Sequence, residues 1–286
     1  MRTGFIGLGA MGANMARNVA KAGLLEAVWN RTGQVADEVA EELGVASVGS
    51  PADLALRVDV IVICVSADAD LLAVVDGLVT SLKPGSIVID HSTVSVQTAH
   101  TAAKKVRSSG ADFLDAPVSG GVEGAKSGTL SIMVGGKAET VERVRPILQA
   151  EASRIVHMGG VGAGQATKAV NQIMCAGINQ AVTEALAFGA AQGLNLDKVI
   201  GAVGGGAAGN WFLEKRGPTM ALGTFAPGFK LALHYKDLKI CLETARKLGV
   251  HLPLSEMTFK DYAELIKQGH GNEDISALYR LKRPKK

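Results

Sequence analysis

Three polar side chains near the middle of the sequence have the spacing of one helical ridge. Lys168 is followed by Asn171 and Gln172 at offsets of three and four residues, in a segment otherwise rich in Ala, Ile and Met. A lysine in a largely buried helix is costly unless its charge is paired or used. In a dry cleft such an amine could exchange a proton with a substrate oxygen. From spacing alone, a lysine that extends to solvent from the first helical turn is an equal alternative.

A glycine-rich turn lies near the beginning of the chain, in the segment GFIGLGAMG. Gly7, Gly9 and Gly12 have the G-x-G-x-x-G spacing, after a predicted strand and before a predicted helix. The first glycine would permit a tight turn, the second would let backbone N–H groups approach a pyrophosphate, and the third would let the helix pack closely on the sheet. The turn therefore predicts a dinucleotide-binding Rossmann fold. The predicted contacts are Gly7, Leu8, Gly9, Ala10, Met11 and Gly12.

The end of the second predicted strand, WNRT, indicates which dinucleotide binds. A site that prefers NAD usually has a carboxylate there for the ribose 2′-hydroxyl. This chain has Asn30, Arg31 and Thr32 instead, so no carboxylate in this segment repels a 2′-phosphate, and the Arg31 guanidinium suits one. We therefore expect NADP(H) as the cofactor, with NAD as the less favoured alternative. A surface arginine without a ligand is the other interpretation of Arg31.

Polar segments also follow later predicted strands, at the sheet edge where open α/β folds bind ligands. CVSADAD and DHSTVS are two of these segments. We expect cofactor contacts from Val65, Ser66 and Thr93, with Thr93 near the nicotinamide ribose or amide.

A third segment of this kind is DAPVSGG, which contains Ser119, Gly120 and Gly121. A hydroxyl beside consecutive unshielded backbone amides makes a good receptor for a carboxylate. A Pro/Gly turn that binds nothing is an equal alternative for this segment alone.

The elements that would hold these residues alternate between strands and helices over the first 160 residues or so. Apolar runs such as VDVIVICV predict strands buried on both faces, and segments with helical spacing lie between them. This order predicts a mostly parallel, doubly wound α/β sheet with right-handed connections. After about residue 162 no strand pattern recurs, and a long helical segment over 165–193 is followed by further helices. We therefore expect an NADP-binding Rossmann domain over 1–160 and an all-α domain over 161–286.

Composition argues against several other classes of protein. The 286 residues include 30 basic and 27 acidic side chains, and a net charge of +3 is too balanced to indicate nucleic acid. The longest strongly apolar run, of about ten residues, is too short to span a bilayer, and no signal segment is evident. Three widely spaced cysteines predict reduced, buried thiols. No spacing of histidines or cysteines indicates a metal site, and we expect a cytoplasmic protein that binds neither membrane nor nucleic acid.

Five segments together resemble the β-hydroxyacid dehydrogenase family: GFIGLGAMG, DAPVSGG, GAGQATKAVNQ, GFKLALHYKDL and GNEDISAL. They occur in the family's order and extend over nearly the whole chain. The resemblance implies hydride transfer between NADP(H) and a short β-hydroxy acid or semialdehyde, with dimers or tetramers formed through the helical domain. NRT is similar to the NADP-using reductases of the family, which favours reduction. The substrate stays open among glyoxylate and the succinic, tartronate and methylmalonate semialdehydes.

The resemblance also implies roles for individual residues. Lys168 would be the catalytic residue, and Lys236 would contact the cofactor. Gln172 stands where many members have a second asparagine, and Asn210 stands where a serine is common. The expected substrate-binding residues are Ser119, Gly120, Gly121, Asn171, Gln172, Phe229 and Asp237.

Other functions compete with this interpretation. An NAD-dependent 3-hydroxyisobutyrate dehydrogenase would share the motifs. An imine reductase on the same scaffold lacks the lysine, so Lys168 argues against it. A 6-phosphogluconate dehydrogenase would have a much longer helical portion. A catalytically silent NADP-binding module for protein interaction would have replaced the lysine.

Overall fold

A computed structural model describes residues 1–283, and the first compact unit of the chain is Met1–Lys168. This unit is built on a nine-stranded sheet. Its strands are β1 (Thr3–Ile6), β2 (Leu25–Trp29), β3 (Ala46–Ser47), β4 (Val60–Ile63), β5 (Ile87–Asp90), β6 (Asp112–Asp115), β7 (Val118–Ser119), β8 (Leu130–Gly135) and β9 (Ala152–Gly159).

The strand order is β3-β2-β1-β4-β5-β6-β8-β7, and β9 pairs with β8. From β3 to β6 all neighbours are parallel, whereas β8 runs antiparallel to both β6 and β7. Every residue of β1, β4 and β5 is buried, as expected for strands covered on both faces. The predicted mostly parallel, doubly wound sheet is confirmed.

Helices cover both faces of this sheet, and the sheet separates two apolar cores. On one face, Met15 and Val19 pack in a cluster with Phe5; on the other, Leu54 and Leu71 pack in a cluster with Ile61. The helices of the first unit are α1 (Gly12–Lys21), α2 (Gly33–Leu43), α3 (Pro51–Arg57), α4 (Asp68–Leu78), α5 (Val96–Ser108), α6 (Gly121–Ser127) and α7 (Ala138–Glu151).

The second compact unit begins at Ala169, within the long helix α8 (Ala163–Ala191). The described part of this unit is helical, so the predicted all-α character is confirmed. Its core contains Tyr262, Leu231 and Leu265. The elements after α8 are α9 (Leu196–Gly204), α10 (Trp211–Leu222), α11 (Leu231–Leu248), α12 (Pro253–Lys267), a 3₁₀ helix (Ile275–Leu278) and α13 (Tyr279–Lys282).

Several short elements were not expected from the sequence. Strand β9 is mostly exposed, so it has no apolar pattern to reveal it. Helix α3 has a local signal, since Ser50 accepts a hydrogen bond from the Asp53 amide at 3.1 Å and Pro51 occupies the first helical position.

The prediction of three buried thiols was wrong for Cys64 and Cys175, which are half-buried. None of the described helices is long and apolar enough to cross a membrane.

Candidate active site

The three glycines of the first turn have different surroundings. Gly7 has a φ of +91°, and a Cβ on it would overlap the carbonyl oxygen of Cys64. A Cβ on Gly12 would overlap the carbonyl oxygen of Gly7. Gly9 is exposed, and a Cβ there would have no heavy atom within 4 Å. Thus Gly7 and Gly12 are required by the fold, while the open space at Gly9 fits the close approach of a pyrophosphate.

The segment after β2 is tied to this turn by Asn30. Its Oδ1 accepts a hydrogen bond from the Leu8 amide at 3.0 Å, and its Nδ2 donates to the Thr32 carbonyl at 3.1 Å. Arg31 points outward, with 84% of its side chain exposed, and its Nη1 lies 2.8 Å from Asp70 Oδ1. The structure therefore brings Asn30 to the glycine turn and gives Arg31 a carboxylate partner that the sequence did not indicate.

The loop after β5 is connected to the end of β4. The Val65 amide donates to Ser92 Oγ at 2.9 Å, and the Ser92 amide donates to Asp90 Oδ1 at 3.0 Å. Thr93 follows in the same loop and is half-buried, whereas Ser66 is exposed. The two predicted cofactor-binding loops are therefore hydrogen-bonded to each other at the carboxyl edge of the sheet.

A group of ionisable side chains lies buried beneath this loop. His91 and Glu151 both have fully buried side chains, with His91 Nε2 3.2 Å from Glu151 Oε2 and His91 Nδ1 2.6 Å from the Ala116 carbonyl. Burial alone would lower the pKa of His91, but Glu151, the Ala116 carbonyl and Asp90 together raise that pKa above its ordinary value. Burial also raises the pKa of Asp90 to about 7, against the opposing effect of its bonds to Ser92. Both ring nitrogens of His91 thus have a buried partner within the fold.

The predicted carboxylate-binding loop begins on β7, where Ser119 pairs with Ser131 of β8. The two glycines that follow have positive φ angles, +133° at Gly120 and +63° at Gly121. Side chains other than glycine rarely adopt such angles. The conformation that exposes these backbone amides therefore depends on having glycine at both positions.

Lys168 lies in the second turn of α8 and is buried, with 7% of its surface exposed. Its Nζ donates a hydrogen bond to the Val118 carbonyl at 2.8 Å. The side chain therefore does not extend to solvent. Because Val118 directly precedes Ser119, the ammonium lies beside the predicted carboxylate-binding loop.

Asp115 holds the beginning of α8 and was missed as a positioning residue. Its Oδ1 accepts a hydrogen bond from the Gly162 amide at 2.7 Å, and its Oδ2 accepts one from the Gln165 amide at 2.9 Å. Burial raises its pKa, while these amide bonds lower it. Asp115 was visible in DAPVSGG, but no local pattern links it to α8, because Asp115 and Gly162 are 47 residues apart in the sequence.

In the second unit, four of the predicted residues are connected by two hydrogen bonds and an ion pair. Asn171 Nδ2 donates to Gln172 Oε1 at 2.7 Å, and Gln172 Nε2 donates to Asp237 Oδ2 at 2.5 Å. Lys236 Nζ lies 3.0 Å from Asp237 Oδ1. Gln172 is 1% exposed. The side-chain amide of Gln172 therefore orients Asn171 and binds Asp237 at the same time.

Two other residues singled out in the sequence also have defined local partners. The amide of Phe229 donates to Asp274 Oδ2 at 3.0 Å, and its ring centroid lies 5.3 Å from that of His234. Asn210 caps α10, because its Oδ1 accepts from the Leu213 amide at 2.8 Å. The structure thus gives Asn210 a structural task of its own.

A strand, glycine turn and helix with open space at Gly9, together with a buried lysine beside a tandem-glycine loop, are typical of a nicotinamide-dependent oxidoreductase. Comparison with known families agrees. Residues 2–160 match the NAD-binding domain of 6-phosphogluconate dehydrogenase, and residues 162–282 match the family described as NAD-binding of NADP-dependent 3-hydroxyisobutyrate dehydrogenase.

Individual relatives extend over nearly the whole chain. The 2-hydroxy-3-oxopropionate reductase of Escherichia coli is 40% identical, over 97% of this chain and 96% of the relative. The NAD-dependent L-serine dehydrogenase of Pseudomonas aeruginosa is 34% identical, over 97% and 96%. The solved 3-hydroxyisobutyrate dehydrogenase of Mycobacterium tuberculosis with L-serine is 31% identical, with a TM-score of 0.90 over 99% of this chain and 100% of that one.

The chain therefore belongs to the β-hydroxyacid dehydrogenase family, and the resemblance noted in the sequence is confirmed. It is an enzyme that transfers a hydride between a nicotinamide cofactor and a hydroxy acid or the corresponding carbonyl compound.

Proposed function

We propose that this enzyme uses NADPH to reduce a short carboxylate with an aldehyde group, of the tartronate semialdehyde type. The observation that carries the proposal is the hydrogen bond from Lys168 Nζ to the Val118 carbonyl at 2.8 Å. It places the ammonium next to the loop of Ser119, Gly120 and Gly121. A proton donor and a carboxylate receptor thus lie side by side.

The preference for NADPH is supported by the residues after β2. Asn30 is committed to the glycine turn, and the exposed guanidinium of Arg31 is available to exchange its carboxylate partner for a 2′-phosphate. Thr32 is the third proposed cofactor contact in this segment. A family description that names an NADP-dependent enzyme is consistent with this preference.

A division of labour follows for the residues of this chain. The bound cofactor supplies the hydride. Ser119 and the amides of Gly120 and Gly121 would hold the carboxylate, and Lys168 would give a proton to the carbonyl oxygen while the carbon is reduced. In the reverse direction Lys168 would remove that proton. Thr93 would contact the nicotinamide end of the cofactor.

We also propose the further contacts that the strand-end segments and the family resemblance predict. They are the substrate contacts Asn171, Gln172, Phe229 and Asp237, and the cofactor contacts Val65, Ser66 and Lys236. We also propose that residues 1–160 bind NADP, and that residues 161–286 serve the substrate and oligomerisation.

We propose that the enzyme assembles as a homodimer or homotetramer through its helical part. The support is an apolar stripe on α8, where Val170, Met174 and Ile178 recur every four residues with exposures of 54%, 63% and 39%. Exposed apolar surface of this kind is typical of protein interfaces.

A second candidate function is the NAD-dependent oxidation of a β-hydroxy acid. One observation favours it, since the carboxylate of Asp70 already binds the guanidinium that a 2′-phosphate would need. One relative is named an NAD-dependent L-serine dehydrogenase, which shows that such a cofactor occurs among proteins similar to this one.

Steady-state kinetics would test the proposal. The enzyme would be assayed with NADPH and with NADH against glyoxylate and the succinic, tartronate and methylmalonate semialdehydes, and in reverse with L-serine and 3-hydroxyisobutyrate. We expect the highest kcat/KM with NADPH and tartronate semialdehyde. Equal kcat/KM values for the two cofactors would reject the NADPH preference, and turnover of none of these compounds would reject the proposed reaction.

A further inference from the structure

The side chain of Gln165 forms two hydrogen bonds with the backbone on either side of Thr93. Its Nε2 donates to the Ser92 carbonyl at 2.7 Å, and its Oε1 accepts from the Val94 amide at 3.2 Å. Gln165 is 2% exposed and lies three residues before Lys168 on α8. One amide group therefore connects the loop of the predicted nicotinamide contact to the helical turn preceding the predicted proton donor.

Both ends of this connection are fixed to the sheet by other bonds. The backbone N–H of Gln165 donates to Asp115 Oδ2 at 2.9 Å, at the end of β6. Ser92 is bonded through its Oγ to the Val65 amide and through its own amide to Asp90. Gln165 thus joins two segments that are already anchored, and its side-chain amide sets the distance between them.

This distance matters for the reaction because hydride and proton must reach one carbonyl group. Reacting atoms have to lie within about 3–3.5 Å, and a misplacement of about 1 Å can cost roughly 100-fold in rate. Thr93 would locate the nicotinamide, and Lys168 would locate the substrate oxygen. A loop that drifted relative to α8 would separate the two.

We infer that Gln165 is a positioning residue, which holds the loop of Thr93 in register with Lys168 for hydride and proton transfer. This inference rests on the proposed function. It assigns Gln165 a task beyond satisfying buried backbone groups, which many buried amides do.

Hydrogen exchange on the cofactor-free chain tests the bonds themselves. Gln165→Leu replaces the side-chain amide by an apolar group of similar size and so removes both bonds. Gln165→Glu keeps an acceptor for the Val94 amide and loses the donor to Ser92. We expect the Val94 amide to exchange at least about fivefold faster in Gln165→Leu, since a hydrogen bond contributes on the order of 1 kcal/mol. Unchanged exchange would overturn the inference.

Kinetics then separate positioning from a general loss of stability. We expect kcat to fall about 10- to 100-fold in both variants, with a larger deuterium isotope effect from C4-labelled NADPH because hydride transfer becomes slower. The Kd for NADPH, measured by fluorescence titration, should change by less than about threefold, because the pyrophosphate and adenosine ends bind elsewhere.

A matched control lies on the same helix. Gln180 is also 2% exposed, and its Nε2 donates to Asp261 Oδ2 at 2.8 Å, so Gln180→Leu removes a partly buried hydrogen bond of a buried glutamine. We expect it to lower the melting temperature while leaving kcat and Val94 exchange unchanged. If Gln165→Leu lowers kcat no more than Gln180→Leu does, the inference is wrong.

The proposed function fails in a different way. A wild-type enzyme that reduces none of the semialdehydes, or a Lys168→Ala variant with wild-type kcat, would reject the proposed roles directly. Wild-type turnover that depends on Lys168 but not on Gln165 would reject only the positioning role.

Discussion

Arg31 and Asp70 form an ion pair that joins the end of β2 to the first turn of α4, with Arg31 Nη1 2.8 Å from Asp70 Oδ1. The two residues are 39 positions apart in the sequence. If Arg31 binds a 2′-phosphate, that phosphate has to compete with the Asp70 carboxylate. Under the proposed preference for NADPH, the pair would therefore set how strongly the enzyme discriminates between NADPH and NADH.

Asp70→Asn is expected to strengthen NADPH binding. An exposed ion pair is worth at most about 1 kcal/mol, so the Kd for NADPH should fall by no more than about fivefold. Arg31→Ala should raise that Kd by about tenfold or more, with little change for NADH. Calorimetric titration of both variants checks this, and Arg154→Ala, which alters an exposed arginine on β9, is the control. Weaker NADPH binding by Asp70→Asn would mean that Asp70 orients Arg31 instead.

Lys168→Ala is expected to lower kcat by about 100- to 10,000-fold, because general acid catalysis contributes that much. NADPH should still bind with a Kd within about threefold of the wild-type value, since the glycine turn is unaffected. Steady-state absorbance measurements at the nicotinamide band give kcat, and fluorescence titration gives the Kd for NADPH. Lys198→Ala, at an exposed position of α9, should behave as the wild type. A Lys168→Ala variant that retains most of its turnover would remove Lys168 from its role.

Gly120→Ala is expected to raise KM for the semialdehyde. Its φ of +133° is strained for alanine, and the new Cβ would lie 3.1 Å from Leu130 Cδ2. Such strain costs about 1–3 kcal/mol, so KM should rise by roughly 5- to 150-fold if the loop shifts. Initial-rate kinetics measure this effect. Gly201→Ala, where no atom lies within 4 Å of the added Cβ, is the control and should keep the wild-type KM.

Stability should fall with rising pH because of Asp90. In the folded chain burial raises its pKa from 3.8 to about 7, so the folded state holds a proton that the unfolded state releases between these values. By linkage, the contribution of Asp90 to the free energy of unfolding falls as pH rises through this range, by at most about 4 kcal/mol. The raised pKa of His91 acts in the same direction at higher pH.

Asp90→Asn should therefore reduce the fall in stability between pH 5 and pH 8. The variant amide oxygen can still accept from the Ser92 amide, so the loop should persist. Urea unfolding at the two pH values provides the free energies, with Asp197→Asn as an exposed control. Equal pH dependence in Asp90→Asn and the wild type would contradict the assignment.

Met174→Glu is expected to dissociate the oligomer. Met174 lies at the centre of the exposed stripe between Val170 and Ile178, with 63% exposure, and a charge in an apolar interface is costly. Light scattering during gel filtration should show a dimer or tetramer for the wild type and a smaller species for the variant. Leu56→Glu, at a similarly exposed position of α3, should leave the mass unchanged. A monomeric wild type would contradict the proposal.

Local sequence patterns predicted the secondary-structure elements well where burial requires a continuous or periodic run of apolar residues. The apolar runs of β4 and β5 and the long segment of α8 were found with small shifts at their ends, since strands covered on both faces and long buried helices have strong patterns. The exposed edge strand β9 and the short helices α3 and α6 were missed for the opposite reason.

Contacts between distant segments were not predictable from the same patterns. Gln165 and Ser92 are 73 residues apart, and both the Gln165 side chain and the Ser92 carbonyl could have formed hydrogen bonds elsewhere. The partner of Arg31 is set by how α4 follows β4, which no local spacing encodes. By contrast, the ridge of Lys168, Asn171 and Gln172 was visible because helical geometry alone fixes it.

Because Gly7, Gly9 and Gly12 have different surroundings, substitutions at these three positions should have different effects. Replacing Gly7 or Gly12 would damage the architecture of the domain, so any loss of coenzyme would be secondary to misfolding. Replacing Gly9 would fill empty space next to the chain and should leave the domain intact while denying entry to a diphosphate. Gly9→Ala should thus give a folded protein that does not bind the coenzyme. Such a variant could be used to look for roles of this chain that do not need catalysis.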